Sequence, residues 1–147
     1  MNKESQTILD KATALLARRE HSRTELGRKL TQRGFSEPLI GEALDALEAE
    51  DLLSDLRFAE NYVHHRTARG QGPLKIRYEL RERGVSDDLA MQFIDADRQR
   101  WCERALAVRH KRFGSERPDD SRERSRQTRF LEQRGFETEH IRFALDE

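Results

Sequence analysis

The 147-residue sequence contains little cysteine, no long apolar run and no net charge. A single cysteine, Cys102, excludes an intramolecular disulfide and a cysteine-based metal cluster, and it suits a reducing compartment. No apolar run reaches the length of a membrane span, and the first residues do not resemble a signal peptide. We therefore expect a cytoplasmic protein that has no membrane partner.

Apolar residues are also scarce. Hydrophobic residues make up 35% of the chain and charged residues 38%, which is too little apolar material for one large core. A chain of 147 residues is also too short for two independent enzyme-sized domains. The composition therefore favours an elongated stack of small helical units, each with a thin core.

The zero net charge conceals an alternation of basic and acidic blocks. Residues 1–34, 57–84 and 98–134 carry +4, +4 and +6, and residues 35–56, 85–97 and 135–147 carry −7, −4 and −3. Of the 28 basic residues, 23 are arginine, whose planar guanidinium binds carboxylates and phosphates in bidentate fashion. This pattern indicates a docking surface, although charged stripes also form salt bridges between repeats and keep a protein soluble.

An internal repeat becomes visible when the chain is aligned on three Arg-Gly pairs, at 33–34, 83–84 and 134–135. The pairs are 50 and 51 residues apart. Apolar positions then correspond throughout the aligned segments 29–45, 79–95 and 130–146, for example Leu30, Leu80 and Leu131, or Phe35, Val85 and Phe136. The chain therefore contains three copies of one unit.

Each copy has the signals of helices joined by short turns. Glycine adopts the left-handed conformation that ends a helix, so the aligned pairs predict helix C-termini. Ser22 to Glu25 forms a capping box, Ser36 and Ser86 are placed to cap the next helices, and Pro73 suits a first helical turn. A further helix precedes each pair of helices, at about 7–20, 55–69 and 98–113.

The sequence therefore predicts an all-α fold of three tandem three-helix repeats in an elongated, curved arrangement. The predicted repeats span residues 1–53, 54–97 and 98–147, and we expect a monomer. The third repeat differs from the others in its longer loop at 114–120 and in its polar middle helix, at 121–134.

No motif predicts catalysis, a metal or a cofactor. Gly70-Gln-Gly72-Pro73 resembles a phosphate-binding loop only superficially, because no strand precedes it and no Gly-Lys-Ser/Thr follows it. His64 and His65 are adjacent, so on a helix they point in different directions and we expect both to be exposed. His140 occupies a repeat position held elsewhere by leucine, which predicts a packing role. Four aromatic residues at helical spacing are interpreted as core: Phe58, Tyr62, Tyr78 and Trp101.

Two arginine-rich segments are the best candidates for docking. The predicted partner-binding residues are Arg57, Arg66, Arg69, Lys75, Arg77 and Arg81 in the middle repeat and Arg122, Arg126 and Arg129 in the third. Arg77 and Arg81 lie one turn apart, so they share a helix face. Either segment could contact phosphates or an acidic protein surface. The alternative is a solvated helix surface.

The middle repeat also carries a long signature: Asp55-x-Arg57-Phe58-Ala59-x-x-Tyr62-Val63-x-x-Arg66-x-x-x-Gly70-x-Gly72-Pro73-x-x-Ile76-x-x-Glu79-Leu80-x-x-Arg83-Gly84-Val85. This signature resembles the RecX family, the bacterial regulatory proteins of the RecA recombinase. The likeness extends to residues 17–22, 25–26 and 29–30 in the first repeat and to 101–102, 111–114 and 126–136 in the third.

The resemblance implies a non-enzymatic regulator with no cofactor. RecX-like proteins bind the filament that RecA forms on single-stranded DNA, limit its growth, and suppress ATP hydrolysis, strand exchange and the coprotease activity that triggers the SOS response. The implied partners are the RecA filament and, through it or weakly alone, single-stranded DNA. A curved stack of repeats lying in the filament groove could contact several protomers at once.

The alternative interpretation is a module that binds nucleic acid directly, because residues 22–53 resemble a helix-turn-helix in outline. Against it, residues 35–55 hold seven acidic side chains where a recognition helix should be positive.

Overall fold

The structure is a computed structural model that describes residues 2–147, and in this range the chain forms nine α-helices and no strand. The helices are α1 (Lys3–Arg18), α2 (Arg23–Gln32), α3 (Glu37–Ala49), α4 (Asp55–Ala68), α5 (Pro73–Glu82), α6 (Asp87–Phe93), α7 (Arg98–Phe113), α8 (Ser121–Gln133) and α9 (Thr138–Asp146). The predicted all-α repeat fold is confirmed. The first helix begins four residues before the predicted start, because the Asn2 side chain caps it by accepting a hydrogen bond of 2.7 Å from the Ser5 amide.

Most helix starts follow the local signals in the sequence. Ser22 and Glu25 form the reciprocal capping box, and the Ser86 hydroxyl accepts a hydrogen bond of 3.2 Å from the Leu89 amide. Ser36 also precedes its helix, but its side chain makes no capping hydrogen bond. Pro38 in the first turn of α3 has no amide hydrogen, which removes one of the donors that such a cap can bind.

The Arg-Gly pairs end helices as predicted. Gly34, Gly84 and Gly135 have φ angles of +85°, +77° and +95° and follow α2, α5 and α8. A side chain at such a φ angle is strained, so glycine is required by the backbone conformation. Gly70, which lies outside the register of the repeat, ends α4 in the same way with a φ angle of +88°.

Within residues 2–147, the buried apolar side chains form two clusters. The first repeat has its own cluster, made of Ile8, Ala12, Leu26, Leu30, Ile40, Ala43, Leu44, Leu47 and Leu53. The second and third repeats share one continuous cluster, which runs from Phe58 on α4 through Trp101 on α7 to Leu145 on α9. The last two repeats therefore gain their stability together, because neither buries its apolar surface alone.

Adjacent repeats are joined by the same structural contact. In each case, the start of the middle helix of one repeat meets the Arg-Gly turn of the next. The Ser22 hydroxyl donates a hydrogen bond of 2.7 Å to the Arg83 carbonyl oxygen. The Gly72 amide likewise donates one of 2.7 Å to the Arg134 carbonyl oxygen. The Arg-Gly turn therefore has two roles, since it ends a helix and also forms the joint with the preceding repeat.

The third repeat is fastened internally by a buried arginine. Arg109 on α7 is fully buried, and its Nε donates a hydrogen bond of 2.6 Å to the Ala144 carbonyl oxygen near the end of α9. Its Nη1 donates one of 2.9 Å to the Glu116 carbonyl oxygen in the loop before α8. Gln127, a buried residue of the polar helix α8, lies 3.4 Å from the same nitrogen. The long loop and the polar helix thus pack around one guanidinium.

Candidate interaction surfaces

Arg77 and Arg81 share one helix face, as expected, and both bind the same carboxylate. The Arg77 Nε lies 3.1 Å from Asp87 Oδ1, and the Arg81 Nη2 lies 3.0 Å from Asp87 Oδ2. Hydrogen bonds from Arg77 and then from Arg81 hold the pKa of Asp87 below its ordinary value. The two arginines therefore link α5 to the start of α6 while remaining accessible to solvent.

Large apolar side chains lie exposed on the same two helices. Tyr78 is 57% exposed, and Leu74 and Met91 are each 49% exposed. The prediction that Tyr78 is a core residue is wrong, because α5 buries the face that carries Pro73, Ile76 and Leu80. Leu74 and Tyr78 are four residues apart, so they form a second apolar row along the helix. We call Leu74, Arg77, Tyr78, Arg81 and Met91 the α5–α6 face.

Other candidates from the middle repeat have structural partners. Arg57 bridges the first two repeats, because its Nε lies 2.9 Å from Glu20 and its Nη1 lies 3.0 Å from Asp51. The guanidinium carbons of Arg66 and Arg83 lie 4.9 and 5.0 Å from the centre of the Tyr62 ring. These arginines contribute cation–π and ionic contacts to the fold.

The remaining candidates are spread over different parts of the surface. Lys75 lies in the joint between the second and third repeats, directly against Gly135. Arg122, Arg126 and Arg129 are exposed on α8, where Arg126 pairs with Glu123 at 2.8 Å. The nine predicted residues therefore do not form one continuous site.

A groove between the end of α4 and helices α7 and α8 is lined by basic residues, most of which lie outside the predicted set. The groove has a volume of about 490 Å³, and its charged lining residues are Arg69, Arg104, Lys111, Arg112 and Arg134. Ala68, Val108 and Phe130 contribute apolar lining. We call this the basic groove. Of the nine predicted residues, only Arg69 lines it.

Each three-helix unit of the chain matches the profile of a known domain family. The profile of the RecX first three-helix domain matches residues 9–47, that of the second matches 54–92, and that of the third matches 99–145. Together these matches cover most of the chain. The chain belongs to the RecX family.

Full-length relatives agree with this assignment. The chain is 45% identical over 140 residues to the regulatory protein RecX of Halorhodospira halophila, covering 95% of this chain and 87% of the relative. It is 44% identical over 145 residues to that of Chromohalobacter salexigens, covering 99% and 95%. The regulatory protein RecX of Pseudomonas putida is 45% identical over 130 residues, covering 88% and 83%.

Solved RecX structures have the same fold. The crystal structure of RecX from Lactobacillus salivarius superposes with a TM-score of 0.81 at 22% identity, covering 99% of this chain and 97% of that one. A second crystal structure, of a regulatory protein RecX, gives a TM-score of 0.79 at 20% identity, covering 98% and 72%. The all-helical arrangement is thus common to RecX chains whose sequences have diverged widely.

One group of side chains in this RecX chain has the composition of a metal site. Glu137, Glu139 and His140 bring their ligand atoms within 4.8 Å of one another. The His140 Nδ1 accepts a hydrogen bond of 3.2 Å from the Glu137 amide, and burial lowers the pKa of the imidazole. A neutral ring in this arrangement carries its proton on Nε2, which lies 3.4 Å from the Glu137 carboxylate. The ring therefore serves as a hydrogen-bond donor here, and its Nε2 lone pair is not free for a metal.

His140 also confirms its predicted packing role, because it is buried against Trp101 and Phe136. His64 and His65 are exposed, as expected. Across residues 2–147 of this RecX chain, we find no helix with both the length and the hydrophobicity needed to cross a membrane.

Only a weak signal in the sequence indicates the basic groove. Arg104, Val108 and Lys111 follow helical spacing on α7, which places them along one side of the helix. That spacing marks a shared face, but it does not reveal that α4 and α8 supply the other walls.

Proposed function

We propose that this chain binds the filament that RecA forms on single-stranded DNA and inhibits its recombinase, ATPase and coprotease activities. It would thereby modulate DNA repair and the SOS response. Membership in the RecX family supports the proposal, because the resemblance to that family implies this partner. The name shared by the curated relatives, regulatory protein RecX, agrees with a role in controlling another protein.

The α5–α6 face is the observation that carries the proposal. It combines tyrosine, methionine, leucine and arginine, and aromatic residues, methionine and arginine are the residue types enriched where proteins bind proteins. Asp87 holds the guanidinium groups of Arg77 and Arg81 in place before a partner arrives. Side chains fixed in this way lose less conformational entropy on binding.

The three tandem repeats suggest how the chain inhibits the filament. The middle repeat presents the α5–α6 face, and the first and third repeats, joined to it on either side, can contact further protomers. Weak contacts made in tandem gain affinity through their high effective concentration. A chain attached to several protomers restricts the rearrangements and the growth that an active filament requires.

A binding experiment tests this proposal against direct DNA binding. Fluorescently labelled protein is titrated with RecA filaments assembled on oligothymidylate and, separately, with bare oligothymidylate, each at two salt concentrations. We expect preferential binding to filaments. If binding to bare DNA is equally tight and falls steeply with salt, the nucleic-acid interpretation replaces this one.

Variants locate the contact. Tyr78→Ala combined with Arg81→Glu should weaken filament binding by about tenfold or more, because it removes an aromatic anchor and reverses a charge at its edge. Lys11→Glu, an exposed charge reversal on α1, serves as the control. Equal filament binding by the two variants would exclude the α5–α6 face as the contact.

A further inference from the structure

The basic groove gathers unpaired positive charge from three helices. Arg69 follows α4, Lys111 and Arg112 lie on α7, and Arg134 follows α8. Among the residues that the structure describes, no carboxylate lies within 4.0 Å of any of these four cations, and no acidic side chain lines the groove. Only Arg104 has an ionic partner, Asp95, at 3.2 Å.

Several basic residues elsewhere in the chain are paired with acidic side chains, whereas these four residues of the groove are not. The protein has no net charge, and Arg57, Arg77 and Arg81 all have carboxylate partners. Unpaired like charges repel one another, and a concave surface focuses their field toward a ligand of opposite sign. The groove is therefore suited to an anionic partner.

The guanidinium groups are held in position by contacts that leave N–H groups free. The Arg134 Nη1 donates a hydrogen bond of 3.0 Å to the Arg69 carbonyl oxygen. The guanidinium carbons of Arg112 and Arg134 lie 5.5 and 5.2 Å from the centre of the Phe130 ring. Arginine groups fixed in this way present planar donor edges that match carboxylates.

The apolar lining favours a peptide over a nucleic acid. Ala68, Ala107 and Val108 offer a surface on which one apolar side chain can be buried. Proteins that bind single strands use free aromatic faces to stack bases, but here two guanidinium groups already lie over the Phe130 ring. An acidic segment with an apolar side chain uses both the charge and the apolar surface.

We propose that the basic groove binds an acidic peptide segment of a partner protein. Carboxylates of the segment pair with Lys111, Arg112 and Arg134, and one apolar side chain lies against Ala68, Ala107 and Val108. The basic groove is separate from the α5–α6 face, and peptide binding to it can be measured without RecA. Loss of peptide binding and loss of filament binding can therefore be distinguished.

Fluorescence anisotropy provides the test. The probe is a fluorescein-labelled peptide of alternating Asp and Glu residues around a single Phe, and the comparison probes are the same peptide with Ser in place of Phe and labelled oligothymidylate. The Phe peptide should bind most tightly. The double variant Lys111→Glu, Arg112→Glu should weaken its binding by about tenfold or more, because both side chains are exposed and contact the ligand directly.

The matched control is the double variant Lys11→Glu, Arg18→Glu, which makes the same change in net charge at exposed positions of α1. Circular dichroism melts verify that both variants remain folded. Loss of binding confined to the groove variant supports the proposal. Equal loss in both variants, equal binding of the Phe and Ser peptides, or tighter binding of oligothymidylate than of the Phe peptide overturns it.

Discussion

The Ser22 hydroxyl donates a hydrogen bond of 2.7 Å to the carbonyl oxygen of Arg83, a residue 61 positions later in the chain. The same hydroxyl accepts a hydrogen bond of 3.1 Å from the Glu25 amide, so it caps α2 and joins the first repeat to the second. Gly72 occupies the corresponding position in the second repeat and bonds the Arg134 carbonyl oxygen. The start of the middle helix thus both stabilises that helix and connects its repeat to the next one.

The glycines of the Arg-Gly turns should respond differently to substitution. Gly34→Ala introduces a left-handed residue with open space around it, which costs about 1–2 kcal/mol. In Gly84→Ala the new methyl group also overlaps the Thr24 side chain, which adds about 1–3 kcal/mol. Urea denaturation of the two variants measures the difference. Equal losses of unfolding free energy in the two variants would show that the Thr24 side chain does not limit the space beside Gly84.

Substitution of Arg109 should destabilise the protein more than substitution of any exposed arginine. Arg109→Met leaves the Ala144 and Glu116 carbonyl oxygens without their charged donor, which should lower the free energy of unfolding by about 2–3 kcal/mol. Arg109→Lys should not restore stability, because one ammonium group cannot span both acceptors. Thermal melts compare both variants with Arg142→Met, an exposed position on α9. A stable Arg109→Lys protein would contradict the assigned role.

Stability should decline in two stages as the solution is acidified. Burial lowers the pKa values of His21 and His140 below 6.5, so the unfolded chain takes up these protons first. The stability contributed by the neutral rings is therefore present above pH 6.5 and is lost as the pH falls below it. Protonated His21 would also face the Lys29 ammonium, whose Nζ lies 2.9 Å from its Nε2.

The second loss of stability on acidification comes from the protonation of carboxylates. Hydrogen bonds hold the pKa values of Asp87 and Asp95 below 3.8, so their contributions are lost only at still lower pH. Chemical denaturation at about pH 7.5 and about pH 5.5 isolates the histidine stage. His140→Gln should reduce the difference between these two conditions. If the difference in unfolding free energy between the two pH values is unchanged in both His140→Gln and His21→Gln, the histidines do not cause it.

Features that depend on local chain geometry could be read from the sequence. The sequence predicts the Arg-Gly turns, the Ser22 capping box and Pro73 at the start of α5, because each follows from the preferences of a few adjacent residues. The sequence could not distinguish Gly34 from Gly84, however. Both have the same local signal, and they differ only because another repeat packs against Gly84.

The candidate sites required tertiary structure. Tyr78 has the spacing of a core residue, but the orientation of α5 exposes it. Arg109 is the buried arginine of a helix rich in exposed ones, and no property of its immediate sequence separates it from Arg112. The basic groove joins residues from α4, α7 and α8, so it emerges only when the second and third repeats are packed together.

The most direct test of the central claim is RecA's rate of ATP hydrolysis on single-stranded DNA, titrated with this protein. We expect inhibition at well below one copy per RecA protomer, because a filament regulator acts at ends or across several protomers. An unchanged rate, measured while the protein binds free single-stranded DNA, would exclude inhibition of RecA and identify a nucleic-acid-binding module instead.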